Sequence, residues 1–306
     1  MESSSNSLKD KIKHIYETKY KLLLIIPFAM LAIAFLYLGF KYSATGTFID
    51  RDVSLKGGVT ITAYDAVQKT AEELEQAIAQ QFPDNGIAVK TINQLGSQIG
   101  YVISSDIEED EVQDLLGALE ENLGHKLTAD QYTVEVVGST LGSSFFRELI
   151  IALIIAFAFM ALVVFFFFRT FVPSLAIILA AFSDMVVTLA VISFMDVKLS
   201  SAGIAAFLML IGYSVDTDIL LSTRVLKRKD GTEMDRIYGS IKTGVNMTMT
   251  ALIAVLAALL IVHSGVIGQI MLILFIGLLA DLVNTWIQNV GILRLYLERK
   301  AKQNEQ

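Results

Sequence analysis

The apolar positions of the chain fall into six long stretches, interrupted by one polar segment at 41–146. Each stretch is near the ~20 residues that a helix needs to cross ~30 Å of hydrocarbon. Because lipid offers the backbone no hydrogen-bond partners, these stretches are predicted to be helices of one membrane bundle. The predicted spans are 22–40, 148–168, 172–195, 199–222, 245–263 and 266–290.

The polar segment alternates strand and helix patterns in the order β-α-β-β-α-β, which predicts a ferredoxin-like sheet with both helices on one face. The strands are predicted at 59–63, 87–93, 99–105 and 131–137, and the helices at 66–82 and 108–123. Residues 83–86 are predicted to form a turn. The segment has no Ser-His-Asp set, metal-ligand cluster or phosphate loop, and its one histidine, His125, is predicted to be a surface residue.

Basic residues near the span ends predict the orientation of the chain in the membrane. They concentrate in the N-terminal tail, in the loop after the fourth span and in the C-terminal tail. This distribution predicts a protein of the cell membrane with both termini on the cytoplasmic side. The predicted organisation is a cytoplasmic tail at 1–21, a first span at 22–40, an external domain at 41–146, a five-helix bundle at 147–293 and a cytoplasmic tail at 294–306.

The first span has a second interpretation, a cleaved signal peptide, because small residues follow it at 43–45. Its apolar core exceeds the 7–15 residues typical of a signal peptide, which favours an uncleaved anchor. Pro27 lies inside this span and is predicted to kink the helix without ending it.

Charge is unevenly distributed, since segment 41–146 has six Lys and Arg against 17 Asp and Glu, a balance of −11. Such an acidic domain argues against a nucleic-acid partner. The chain has no cysteine, which excludes disulfide bonds and thiol catalysis.

Four aspartates lie inside predicted spans, at Asp184, Asp216, Asp218 and Asp281. A charge at that depth costs roughly 2.5–3.5 kcal/mol and usually faces a partner, water or an ion pathway. No Lys or Arg lies in a predicted span as a fixed partner. All four residues are therefore candidates for proton coupling. Asp218 is expected to lie nearer the interface, where a carboxylate can reach water.

Two other interpretations of these polar residues remain open. They could stabilise the packing of the helices by interhelical hydrogen bonds, each worth ~0.6 kcal/mol on average. Paired carboxyl groups could also hydrolyse peptides. The Tyr-Asp and Gly-x-Gly-Asp patterns of presenilin-type proteases occur in no span, so we do not predict an enzyme. No cofactor and no metal site are predicted.

Several motifs, in register along nearly the whole chain, resemble the SecF branch of the SecD/SecF protein-export family, which is related to the RND transporters. The fourth-span signature matches at Gly212, Tyr213 and Ser214, and Arg224 keeps the arginine that begins the next loop. A glycine pair at Gly57 and Gly58 resembles the signature at the base of the first external domain. Three further segments resemble motifs of the family: 137–142 at the entry to the second span, 168–169 after that span and 183–184 in the third span.

The chain departs from the bacterial pattern in the fourth span, where Asp216 occupies the place of an aspartate in the SecD motif, and in the fifth, where Met247 replaces an arginine. The pattern is similar to the archaeal branch. The resemblance implies pairing with SecD and help for unfolded precursor proteins that pass through the SecYE channel, in contact with membrane lipids and powered by the proton-motive force. In that model Asp216 is the protonatable switch and Asp184 a supporting polar group. Two alternatives are a scaffold of the channel complex without ion coupling and half of an RND-type transporter of small molecules or lipids.

Overall fold

The computed structural model describes residues 13–65, 69–83, 85–94, 97–228, 230–262 and 265–304. Within these residues six helices are long and apolar enough to cross a membrane, and a four-stranded sheet lies between the first and the second of them. The predicted fold class, a helical membrane protein with a ferredoxin-like α+β domain, is confirmed. The predicted turn residue Asp84, part of the predicted helix 66–82 and His263 lie outside the described residues.

Two short helices precede the first membrane helix and lead into it. In order they are α1 at 13–18, α2 (Tyr20–Leu23) and α3 (Ile25–Thr45). The helix is interrupted at Leu24, three residues before Pro27. Proline lacks the N–H that would bond to the carbonyl four residues earlier, at Leu23, so the helical hydrogen-bond ladder is interrupted one turn before Pro27.

The sheet domain follows a one-turn helix, α4, and contains four strands and two helices. Its elements are α4 (Val53–Lys56), β1 (Gly58–Ala63), α5 (Ala71–Ala79), β2 (Ile87–Gln94), β3 (Ser97–Ser105), a 3₁₀ turn (Glu109–Glu111), α6 (Val112–Leu123) and β4 (Tyr132–Val137). The strand order is β2-β3-β1-β4 with every pairing antiparallel, as the ferredoxin-like arrangement requires.

The core of the sheet domain forms where the alternating strand residues meet the apolar faces of α5 and α6. Ile61 pairs with Ile103, and both side chains are fully buried. The helices add Leu74, Ile78, Leu115 and Leu119 among others. Helix α5 begins later than predicted because Thr70 caps it, accepting from the Glu73 N–H, while the Glu73 carboxylate reaches back to Thr70.

The membrane bundle continues with five long helical segments. These are α7 (Ser139–Phe168), α8 (Phe171–Phe194), α9 (Ser201–Lys227), α10 (Glu233–Ile261) and α11 (Gly265–Val283), the last running through a π-helical segment (Asn284–Asn289) into α12 (Val290–Asn304). Helix α10 begins twelve residues before its predicted span because Thr232 and Asp235 form a capping box there. Helices α8 and α9 are the most buried of the six.

The sheet domain joins the bundle where its two connections meet. A Cβ on Gly57 would clash with the backbone of Ser139, and one on Gly142 would lie 2.6 Å from the Gly57 nitrogen. The segment just before α4 also forms hydrogen bonds to the residue that precedes α9. Asp52 N–H donates to the Leu199 carbonyl at 2.8 Å, and Leu199 N–H donates to the Asp50 carbonyl at 2.7 Å. Glycine is therefore required where the two backbones approach.

Substituting Gly142→Ala is expected to lower the midpoint of thermal unfolding by several degrees, because the new methyl group must displace the Gly57 backbone. Gly39→Ala is the matched control, since Gly39 also lies in a membrane helix and a Cβ there meets nothing within 4 Å. That variant should unfold at the same temperature or higher. Equal midpoints for the two variants would contradict the close approach.

Asp106 joins the sheet to its base by accepting from Lys56 Nζ at 2.7 Å and from Gly86 N–H at 2.6 Å. Partial burial acts to raise the pKa of Asp106, but these hydrogen bonds outweigh it and lower that pKa. The stabilisation is therefore fully present above the unfolded-state pKa of about 3.9 and is lost as the pH falls through the lower folded-state pKa.

Asp106→Asn is expected to lower the unfolding midpoint at pH 7 and to lose this effect as the pH falls from about 5 toward 3. The measurement is the unfolding midpoint of both proteins across this pH range, with Asp110→Asn, an exposed position of the same domain, as control. A difference between Asp106→Asn and the parent chain that stays constant with pH would contradict the assignment.

Candidate functional site

A buried cluster of polar side chains lies where α8, α9 and the end of α11 meet. We call it the buried polar cluster, and its eleven members are each fully or almost fully shielded from solvent. They are Ser183, Asp184, Thr188, Ser214, Thr217, Asp218, Asp281, Asn284, Thr285, Gln288 and Asn289. Three of the four predicted carboxylates are therefore brought together in the core of the bundle.

Asp184 links three helical segments. Its Oδ2 accepts from the Ser214 hydroxyl of α9 at 2.5 Å, and its Oδ1 accepts from Asn284 Nδ2 of the π-helical segment at 2.7 Å. Both carboxylate oxygens have a donor, and each donor comes from a different neighbour of α8. The predicted signature serine thus contacts the predicted supporting aspartate.

Asp281 is held by hydroxyl groups, and Asp218 is held by a side-chain amide. Asp281 accepts from Thr285 at 2.9 Å and lies 3.3 Å from the Thr217 hydroxyl. Asp218 accepts from Asn289 Nδ2 at 2.7 Å, while its Oδ2 has no hydrogen-bond partner among the described residues. The expectation that Asp218 reaches water is wrong: α9 extends to Lys227, and Asn289 covers the carboxyl group.

The π-helical segment explains how one helix reaches two aspartates. Asn284 binds Asp184 and Asn289 binds Asp218, although the two asparagines are five residues apart. In an α-helix such positions point about 140° apart. Bonding from residue i to i+5 places more residues in each turn and so reduces this angle. Asp281, Asn284 and Gln288 have the spacing of one α-helical face, and all three are buried. Thr285 and Asn289 lie four and eight residues after Asp281, beside the same face, but the predicted site does not include them. The signal for them is the repeat of two adjacent polar residues, 284–285 and 288–289, in an apolar span.

No Lys or Arg of the described chain forms an ion pair with the cluster carboxyl groups. Burying an unpaired carboxylate is costly unless a proton or a cation neutralises it. Hydroxyl and amide donors offset part of this cost, since hydrogen bonds to charged groups are worth about 1.5–3 kcal/mol. The arrangement suits carboxyl groups whose protonation changes with their surroundings.

Asp216 does not belong to the cluster. It lies two residues from both Ser214 and Asp218, and two residues correspond to about 200° around an α-helix, so it points to the opposite side of α9. That side is an exposed row, the α9 stripe, formed by Ala205, Met209, Gly212, Tyr213 and Asp216. The predicted switch and the other three carboxylates therefore occupy different faces.

The remaining motif residues have structural roles. Arg224 joins α9 to α10 by donating to the Gly239 carbonyl at 2.7 Å and to Thr243 Oγ1 at 2.9 Å. Gly57 and Gly58 adopt positive φ values of 91° and 125° at the base of the sheet domain. His125 is partly exposed and lies 3.2 Å from Asp65. None of the described residues forms a group of three or more His, Cys, Asp or Glu side chains that could hold a metal ion.

Comparisons with known proteins agree with this architecture. A family described as "Protein export membrane protein SecD/SecF, C-terminal" matches residues 118–299. The chain is 37% identical to the protein-export membrane protein SecF of Pyrococcus furiosus, with 98% of this chain and 99% of that protein covered. It is 38% identical to SecF of Methanocaldococcus jannaschii, with 92% and 98% covered.

Among solved structures, the chain is similar to SecDF from Thermus thermophilus, described as a translocon-associated membrane protein. The TM-score is 0.72 at 18% identity, and the match covers 91% of this chain but 38% of that one. At this identity the likeness concerns the fold.

Replacing Asp184 with alanine is expected to lower the free energy of unfolding by about 2–4 kcal/mol, because the buried Ser214 and Asn284 donors lose their acceptor. Asp216→Ala is the matched control, a carboxylate in a neighbouring membrane helix that is exposed, and it should change this free energy by less than about 0.5 kcal/mol. Thermal unfolding in detergent measures both. A larger effect at Asp216 would contradict the described packing.

Proposed function

Because the chain belongs to the SecF proteins of the SecD/SecF protein-export family, we propose that it works as one half of a membrane assembly whose other half is SecD. Together they would assist unfolded precursor proteins that pass through the SecYE channel of the cell membrane. The relatives are named as protein-export membrane proteins, which are transport components. The solved SecDF chain has the same fold over the 38% of its length that the match covers.

The observation that carries the pairing is the α9 stripe. A carboxylate that faced lipid at this depth would cost roughly 2.5–3.5 kcal/mol, so Asp216 calls for a protein partner that covers it. Ala205 and Gly212 leave room for a second helix to approach closely, as small residues do in membrane interfaces. Helix α10 packs beside α9 and exposes the polar residues Asn246 and Thr250 within its span.

Energy coupling would use the carboxyl groups on both faces of α9. Asp216 would be the protonatable switch at the interface with SecD, and Asp184, Asp218 and Asp281 would stabilise the helix positions that accompany each protonation state. A charge that moved fully across the membrane field would contribute ~2.3 kcal/mol per 100 mV. This is enough to shift two helix arrangements of similar free energy.

The contacts of α9 provide a route from the membrane to the sheet domain. At its N-terminal end, Ser201 N–H donates to Ser54 Oγ at 3.2 Å, and Leu199 pairs with the segment before α4. A shift of α9 would therefore move the base of the domain directly. In this proposal the domain is external and contacts the emerging precursor, because it has a packed core and no recognisable chemistry of its own.

Basic residues gathered at one end of the bundle support cytoplasmic termini. Arg294 donates to the carbonyls of Tyr16 and Glu17 at 3.0 Å, and Lys21 pairs with Glu298 at 3.2 Å, so both termini lie at the same end. Arg224 and Arg236 flank the loop between α9 and α10 at this end. Positive charge of this kind favours the cytoplasmic side.

The test is precursor export in cells whose only copy of the gene carries Asp216→Asn, with membrane abundance and co-purification of SecD measured in parallel. We expect export to fall severalfold at normal abundance and normal pairing, because Asn keeps the shape but cannot change its charge. The control is Asp110→Asn, which removes an exposed carboxylate outside the membrane helices.

Export at the control rate would contradict the coupling and would favour a scaffold without ion coupling. Loss of SecD pairing in Asp216→Asn would instead assign Asp216 to assembly. Absence of SecD from the purified wild-type complex would contradict the paired assembly itself.

A further inference from the structure

An apolar crevice of about 670 Å³ opens between residues 13–23, α10 and the end of α11. This volume lies within the ~300–1,000 Å³ of typical ligand sites. Its walls are almost entirely apolar, and Trp286 of the π-helical segment forms part of them. The wall contributed by α10 runs from Tyr238 to Val245, which corresponds to ~10 Å along the helix.

One end of the crevice carries a positive charge. The Lys13 ammonium lies 5.3 Å from the centre of the Tyr238 ring, and more than half of its side chain is exposed. Glu17 faces both groups, 3.9 Å from Lys13 Nζ and 3.0 Å from the Tyr238 hydroxyl that donates to it. The crevice therefore has apolar walls along its length, with a cation and hydrogen-bonding groups at its mouth.

The chain around the mouth is basic in sequence. Residues 13–21 contain three lysines against one acidic residue, a balance of +2. Clusters of Lys and Arg beside a membrane helix attract anionic lipids, each contributing ~1 kcal/mol. The chain's own N-terminal residues 1–8 are mostly polar, with four serines and an asparagine, and so are a poor match for apolar walls.

We propose that this crevice binds one anionic membrane lipid, with an acyl chain along α10 and the headgroup beside Lys13. The occupant would contact Trp286, which lies next to Thr285 and thus to the helix that holds the buried polar cluster. A bound lipid would then support the π-helical segment from the membrane side. This site is independent of export, SecD pairing and proton coupling.

Trp286 is the one tryptophan of the chain, so its fluorescence reports on this crevice alone. The experiment reconstitutes the full chain in phosphatidylcholine vesicles and adds a small, equal fraction of either brominated phosphatidylglycerol or brominated phosphatidylcholine. Bromine quenches tryptophan at contact distance. We expect the anionic lipid to be enriched at Trp286 about fivefold over the zwitterionic lipid, which is the ratio that ~1 kcal/mol gives.

Lys13→Gln is expected to bring this ratio close to one, because it removes the charge at the mouth. Lys300→Gln is the matched control, since Lys300 is exposed on α12 outside the crevice walls, and it should leave the ratio unchanged. Equal quenching by the two lipids in the wild-type chain would overturn the proposal. So would the absence of quenching by either lipid, which would mean that protein covers the crevice, or an unchanged ratio in Lys13→Gln.

Discussion

Polar groups that are shut away from water must find their partners inside the protein, and this constraint fixes how the central helices are arranged. Asp184 is the clearest instance, because its two oxygens require α9 on one side and the π-helical segment on the other. Neither helix can rotate or slide without leaving a buried donor or acceptor unpaired, at about 1–3 kcal/mol each. Apolar packing in lipid supplies no comparable directionality.

The architecture could be predicted from the sequence because lipid and the pleated sheet each impose a simple repeat. Twenty apolar residues indicate a span, and alternating residues such as those around Ile61 indicate a strand with one buried face. Helix ends were less predictable. Those of α5 and α10 depend on side-chain caps at Thr70 and Thr232, which lie outside the apolar pattern used to find the helices.

The cost of burying charge draws attention to the carboxylates inside the membrane helices but does not say which of them face the core. Asp216 and Asp218 are two positions apart, so only one of them can face the core, and hydrophobicity alone does not say which. The structure places Asp218 inside and Asp216 outside. Thr285 and Asn289 lie four and eight residues after Asp281, so α-helical spacing already places them beside its face, but the sequence does not say that Asn289 reaches Asp218 in another helix.

The close approach of Gly57 and Ser139 has a consequence for how this architecture can vary. The polypeptide leaves the bundle and returns to it at a single point, so the sheet domain is a closed excursion between two membrane helices. Its size and surface can change without altering the separation of the helices that flank it. The domain is in this sense an exchangeable module, and the glycines at its base are what allow its two ends to come together.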